Sequence, residues 1–192
     1  MTTVTVVRKD GVAAIAADTL IKWGTAKESA AYISNHQKIL RVGESFVAVT
    51  GYATFKNILQ DYFDHAPEEI RLDSPANIFR TWNRLHRFLK ERYYLMPEED
   101  KEDALESSRM DCLIANAHGI FGVAAHRTVQ EFSRFYAYGS GADYALGAMF
   151  SVYQDAGRTA EQIAQHGVAA AAEFDDATSL PLTSFTVTLI HR

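Results

Sequence analysis

A single cysteine in 192 residues excludes an intrachain disulfide and leaves no thiol cluster to hold zinc or an iron–sulfur centre. That residue, Cys112, lies in the apolar run 110–117, where an inert core thiol is the better reading than a nucleophile. The histidines do not fill the gap: His36, His65, His86, His118, His126, His166 and His191 are scattered, with no His-x-x-x-His pair. No metal and no cofactor are expected. Positive charge is also in short supply. Nineteen Lys and Arg against 24 Asp and Glu give a net charge of −5, and the basic residues form no stripe, so nucleic acid is not expected as a partner. No apolar run approaches the roughly 20 residues that cross a bilayer, and the N-terminus lacks the basic, apolar and small-residue regions of a signal peptide. A cytoplasmic protein without a membrane partner is expected. Repeats, low-complexity segments and linkers are missing too. With 47% hydrophobic and 22% charged residues, an ordinary globular composition, residues 1–192 read as one domain with a sizeable core.

What is present begins at the N-terminus. Residues 3–8 and 12–17 are apolar, partly β-branched runs. Between them Lys9-Asp10-Gly11 carries the Asp-Gly pair that suits a tight hairpin turn, whose central residues both take φ > 0. The chain therefore opens directly in a strand, with Thr2 beside the initiator methionine. Methionine before a residue as small as threonine is usually removed in cells, which would leave a free α-amine on Thr2. Such an amine has an unperturbed pKa of about 7.7–8.0. Near neutral pH it accepts a proton from the hydroxyl of its own residue, with no histidine required. Taken alone, a Met-Thr start fits the first residue of a strand equally well.

Further along, strands and helices alternate in groups. After the polar stretch 22–36, residues 38–42 and 45–50 are strand-like, with Gly43-Glu44 as their turn. Residues 52–65 set Phe55, Ile58, Leu59, Tyr62 and Phe63 at helical spacing, and Pro67 lies just beyond. A second helix starts after Ser74-Pro75, an N-cap followed by proline at N1, and buries Ile78, Trp82, Leu85 and Leu89. The acidic stretch 98–106 reads as a solvated segment. Strands are predicted at 110–117, 120–126 and 131–138. Gly139-Ser140-Gly141 then opens a helix to about Tyr153, with Ser140 as its N-cap. An alanine-rich helix follows at 160–173, and a final strand at 183–191. This order predicts an α+β fold, a four-layer αββα sandwich of two antiparallel sheets covered by helices. Sheets buried on both faces account for the almost wholly apolar run 12–17.

Several segments occur in the order seen in proteasome β-type subunits. They are the opening Thr2-Thr-Val-Thr-Val-Val, the run Ala-Ala-Ile-Ala-Ala-Asp18, Lys38 before an apolar strand, Val49-Thr-Gly51-Tyr, Gly139-Ser140-Gly141-Ala-Asp-Tyr-Ala-Leu, and Asp176-Ala-Thr-Ser179. The chain resembles that family along nearly its whole length, and within it the bacterial branch that includes HslV, the betaproteobacterial proteasome homologue and Anbu. The resemblance implies the N-terminal nucleophile hydrolase fold. It also implies a cofactor-free threonine endopeptidase that cleaves unfolded polypeptides or peptides inside a homo-oligomeric, stacked double ring, and it allows an ATPase unfoldase as partner.

The resemblance also implies roles. Thr2 would be nucleophile through its hydroxyl and general base through its freed amine. Lys38 would favour the alkoxide, Asp18 would pair with Lys38, and the Gly51 amide would supply the oxyanion hole. Ser140, Asp176 and Ser179 would orient the threonine amine. Ile21 and Val49 would line an apolar, modest substrate pocket, and Lys22 stands where the family often has a small hydroxyl residue against the substrate backbone. Alternatives stay open at two points. The segment from Asp18 to Lys38 is longer than is usual in the family, so Lys22 and Lys27 compete with Lys38. Asp175 competes with Asp176, and only the three-residue spacing to Ser179 favours the second. A catalytically silent ring subunit and a small-molecule amidase remain as other functions. Phe79, Trp82, Phe88, Tyr93 and Tyr94 are more aromatics than one helix face can bury, which points to contact with a neighbouring subunit.

Overall fold

Alternation in the first two strands decides what each side of the sheet faces. In β1 (Thr3–Lys9), Val4 and Val6 point to one side and Val7 to the other. In β2 (Val12–Asp18), Ala13, Ile15 and Ala17 share the first side, and Ala14 and Ala16 the second. The Asp10-Gly11 turn between them has φ of 50° and 73°, as a tight hairpin requires. It sets Val6 opposite Ile15.

The computed structural model describes residues 2–66, 68–96 and 104–190. Met1, Pro67, the acidic residues 98–103 and His191, all singled out in the sequence, lie outside them. β3 (Ile21–Trp23) and β4 (Ala26–Glu28) form a short hairpin of their own. β5 (Ile39–Val42), β6 (Ser45–Val49), β7 (Cys112–Asn116), β8 (Gly119–Val123) and β9 (Val129–Phe132) make a five-stranded antiparallel sheet in that order. With β10 (Phe135–Gly139) and β11 (Leu182–Thr188), the opening hairpin forms a four-stranded antiparallel sheet in the order β10-β1-β2-β11. Helices α1 (Thr54–His65) and α2 (Pro75–Arg92) cover the larger sheet. Helices α3 (Ala142–Val152) and α4 (Ala160–Phe174) cover the smaller one.

The core has three apolar layers. Ile15, Val4, Val6, Leu113 and Ile120 meet between the sheets, while Leu59, Ile78, Trp82, Leu85 and Leu89 pack on the outside of the larger sheet. Ala14, Ala16, Ala164 and Val168 pack under the other helix pair, where small side chains let α4 approach closely enough for Thr5 Oγ1 to bond the Ala164 carbonyl at 3.0 Å. This is the αββα sandwich that the order of elements predicts. Ser74 caps α2 by accepting from the Asn77 amide, with Pro75 at the first helical position. Burial pushes the Cys112 thiol up, which keeps it a thiol. Glu106, at the end of the acidic stretch, is not simply solvated: Lys90 and His86 both hold its carboxylate. Of the aromatics on α2, Phe79 is 48% exposed and Trp82 is buried, and Tyr94, just beyond the helix, is 82% exposed. Among the described residues no helix is long and apolar enough to cross a membrane.

Three local expectations are corrected. Residues 131–138 are not one strand. They belong to β9 and β10, which lie in different sheets, with Ser133-Arg134 as the bend between them. An unbroken aromatic run cannot distinguish these cases, because the rings of Phe132 and Tyr136 stack at 4.4 Å across the bend, inside the same core layer. The polar stretch after Ile21 contains the β3–β4 hairpin, too exposed to alternate in hydropathy. Finally, Gly141 and not Ser140 occupies the N-cap of α3, since the Ser140 hydroxyl is engaged elsewhere.

The central layer gives a stability prediction. Ile15→Ala should lower the unfolding free energy by about 2–5 kcal/mol, the range for truncating a fully buried branched side chain. Chemical denaturation reads this, and an unchanged midpoint would contradict the packing described.

Candidate active site

The last residue of β2 is a fully buried carboxylate. Asp18 Oδ1 accepts from the Thr3 amide at 3.0 Å and from Lys38 Nζ at 2.8 Å, and Oδ2 accepts from the Leu20 amide at 3.0 Å. Lys38 directly precedes β5, so the ion pair joins the end of a strand in one sheet to the start of a strand in the other. Burial works against charge on both partners, raising the Asp18 carboxyl and lowering the Lys38 ammonium. Their mutual contact opposes both effects, and the two amides add to it on Asp18. Neither competing lysine pairs with Asp18. Lys22 pairs with Asp176, and Lys27 is exposed opposite it on the β3–β4 hairpin. That hairpin and the turns up to residue 37 take up the extra length between Asp18 and Lys38.

A second network approaches Thr2 from the other side. Asp175 Oδ2 accepts from Ser140 Oγ at 2.7 Å and from Thr178 Oγ1 at 2.6 Å, and Oδ1 accepts from the Ala177 amide at 3.3 Å. Because the Thr178 hydroxyl hydrogen is directed at Asp175, Thr3 is the donor in the 2.6 Å contact between the two threonine hydroxyls. Thr3 Oγ1 in turn accepts from the Gly141 amide at 3.2 Å. Partial burial would raise the Asp175 carboxyl. The bonds from Thr178, Ser140 and Ala177, with the charge of Lys22, outweigh it and hold the group below the usual carboxylate range. The Ser140 amide donates to the Thr2 carbonyl at 3.0 Å. A Cβ on Gly139, where φ is +106°, would lie 1.7 Å from that carbonyl oxygen, so only glycine fits beside Thr2.

Asp176 and Ser179 are not part of this network. Asp176 is exposed and faces Lys22, and Ser179 Oγ donates to the Leu180 carbonyl at 3.2 Å. The pair with three-residue spacing that meets Ser140 is Asp175 and Thr178, one residue earlier. The cause is where α4 stops: Asp175 is its C-cap, with its amide bonded to the Ala171 carbonyl, which turns its side chain inward and leaves the next one outside. Two adjacent aspartates followed by two adjacent hydroxyl residues offer both pairings at the same spacing, so the sequence carried no signal to separate them.

These elements border one cavity of about 660 Å³, lined among others by Thr2, Ile21, Lys22, Lys38, Val49, Gly51 and Ser140. Gly51 has φ of +112°, and a Cβ there would meet the Arg109 carbonyl at 3.0 Å and the Phe55 ring at 3.2 Å. Its backbone thus needs glycine before any substrate is considered. His36, Lys56, Arg109 and Asp111 also line the cavity, and sequence reading had given them no part. Arg109 is tied to the Met96 carbonyl and lies over the Tyr52 ring. Asp111 Oδ1 accepts from the Ala125 amide at 2.9 Å, and burial raises its carboxyl. Among the described residues no group of three or more His, Cys, Asp or Glu side chains stands ready to hold a metal ion.

Comparison with known proteins fits this geometry. No protein-family model matches the chain, and no curated protein does. Among solved structures, Thiobacillus denitrificans BPH is 63% identical, with a TM-score of 0.94 over 98% of this chain and 99% of that one. The same protein in complex with epoxomicin matches at 62% identity and TM-score 0.93, over 99% of this chain and 100% of that one. The eukaryotic HslV of Trypanosoma brucei, 16% identical with a TM-score of 0.68 over 97% and 99% of the two chains, shares the fold. The chain belongs to the proteasome β-type subunit family of N-terminal nucleophile hydrolases, as a relative of the bacterial proteasome homologue BPH.

Proposed function

We propose that this chain is a threonine-type peptidase subunit that hydrolyses peptide bonds of unfolded proteins or peptides after Met1 is removed from Thr2. The observation that carries this reading is the position of Thr2 on the cavity beside Lys38, whose ammonium is buried and fixed by Asp18. Binding of epoxomicin, an inhibitor, by the 62% identical relative supports it. In the proposed reaction the Thr2 hydroxyl attacks the scissile carbonyl and its proton passes to the α-amine of the same residue. The oxyanion is held by the Gly51 amide. The C–N bond then breaks, the leaving amine takes the proton, and water hydrolyses the Thr2 ester by the reverse proton path. Lys38 lowers the cost of charge on the hydroxyl oxygen and disfavours a protonated amine beside it. Asp175, through Ser140 and through the Thr178–Thr3 hydroxyls, positions the backbone on either side of the Thr2 carbonyl. Ile21, Val49 and Lys22 line the substrate groove.

In the same reading the active chain is a cytoplasmic homo-oligomer, a stacked double ring that encloses Thr2. Tyr144 and Phe174 pack together at 5.6 Å while remaining about half to two-thirds exposed, and Phe150 on the same helical layer is 76% exposed. Surfaces of this kind suit heterologous and two-fold contacts between copies. Unfolded chains and peptides would need no further partner, whereas folded substrates would call for an ATPase unfoldase.

A series of variants tests the roles. Thr2→Ala should abolish peptide hydrolysis. Lys38→Ala should reduce kcat/KM by about 10²–10³-fold, the cost of losing one preorganised electrostatic group, while Lys27→Ala should leave it unchanged. Asp175→Asn should lower kcat by up to about a hundredfold through misplacement, and Asp176→Asn should have little effect. Full turnover by the Thr2 variant, or a dead Asp176 variant beside an active Asp175 variant, would overturn the assignments.

The pH profile should be bell-shaped. The rate rises as the α-amine loses its proton, which the neighbouring Lys38 ammonium makes easier than on an isolated amine. It falls again when Lys38 deprotonates, below the ordinary lysine range, because burial lowers that pKa, Asp18 opposes the shift and neighbouring Lys56 adds to it. An alkaline limb that Lys38→Arg fails to move upward would contradict the role given to the lysine. Assembly is tested by native mass at physiological salt: a closed ring is expected, and a stable monomer at micromolar concentration would favour a small-molecule amidase.

A further inference from the structure

The cavity beside Thr2 holds several cations, and three of them are engaged. Lys38 pairs with Asp18, Lys22 with Asp176, and Arg109 bonds the Met96 carbonyl and lies over the Tyr52 ring. Lys56 differs from these. It projects from the first turn of α1 into the cavity lining, is partly buried, and donates to the Asn35 carbonyl, with no carboxylate paired to it among the described residues. A partly desolvated ammonium held by one neutral acceptor is poorly compensated, and burial accordingly lowers its pKa. The carboxylate in the lining, Asp111, is directed to the Ala125 amide. Ile21 and Val49 supply apolar wall in the same cavity.

An apolar wall with a cation lacking a counter-charge suits a side chain that has a short hydrocarbon stem and a negative end. We propose that Lys56 sets the cleavage preference of this subunit, so that the residue whose carbonyl is attacked by Thr2 is an acidic one, glutamate or aspartate. The inference rests on the peptidase reading above and deepens it. It replaces the purely apolar pocket expected from Ile21 and Val49. Lys22 is not the source of this preference, because its charge is already matched by Asp176.

The test uses three tripeptide epoxyketones that differ only in the side chain next to the epoxyketone: glutamate, glutamine and leucine. Labelling rates are followed by intact mass on the assembled protein, wild type, Lys56→Met and Lys56→Glu. In the wild type the glutamate reagent should label about tenfold faster than the glutamine one, as a charge-assisted hydrogen bond warrants. Lys56→Met should bring that ratio to about one, and Lys56→Glu should make the glutamate reagent the slowest of the three. The ratio within each variant isolates selectivity from any general loss of reactivity, and labelling by the leucine reagent shows that a variant is folded. Labelling with leucine preferred, and a ratio that Lys56→Met does not move, would overturn this inference and leave the peptidase reading standing. No labelling of the wild type by any of the three would overturn both.

Discussion

The buried pair of Asp18 and Lys38 is the interaction on which the rest of the site depends. It is made at the seam between two sheets, with the carboxylate at the end of β2 and the ammonium just before β5. Neither charge is well placed alone, since both lie in a region that penalises ionisation. Together each offsets the burial cost of the other, and the Thr3 and Leu20 amides add two further bonds to Asp18. The Thr3 amide matters most for function. It ties the carboxylate to the residue immediately after Thr2, so the group that fixes the lysine also fixes the chain that carries the proposed nucleophile.

The second constraint comes from the opposite direction and uses different chemistry. Asp175 gathers two hydroxyls and an amide, and through them reaches Ser140 and Thr3. Ser140 grips the Thr2 carbonyl by its amide, and Gly139 allows that approach because there is no room for a Cβ. Thr2 is therefore bracketed between a charged pair and a hydroxyl relay, each rooted in a different helix or strand end. A residue so near the start of a chain, as the proposed nucleophile is, would otherwise be among the least ordered parts of a protein. Here the residues on both sides of it in space are held by rigid elements, which is the condition for a preorganised site.

Much of this was legible in the sequence, for identifiable reasons. Apolar periodicity located α1, α2 and the sheet strands, because those elements bury one face or both. The run 12–17 is apolar throughout because Ala14 and Ala16 meet helices while Ala13 and Ile15 meet the other sheet. What escaped were features that depend on where the chain bends. The crossing from β9 to β10 left no break in the aromatic pattern, since Phe132 and Tyr136 enter one core layer from two sheets. The one-residue shift from Asp176 to Asp175 follows from the end of α4, a boundary that composition does not mark to a single residue. Lys56 is a polar position on an amphipathic helix, and nothing in the sequence singles it out. Only its place on the cavity, and the partners already taken by its neighbours, give it meaning.

The central claim is that Thr2, freed of Met1 and seated beside the Asp18–Lys38 pair, is the nucleophile. Tandem mass spectrometry of the protein after reaction with epoxomicin addresses it most directly, because it reads the start of the chain and the site of modification together. A chain that lacks Met1 and carries one inhibitor, on Thr2, is the predicted result; retention of Met1 on the modified chain, or attachment to any other residue, would contradict it.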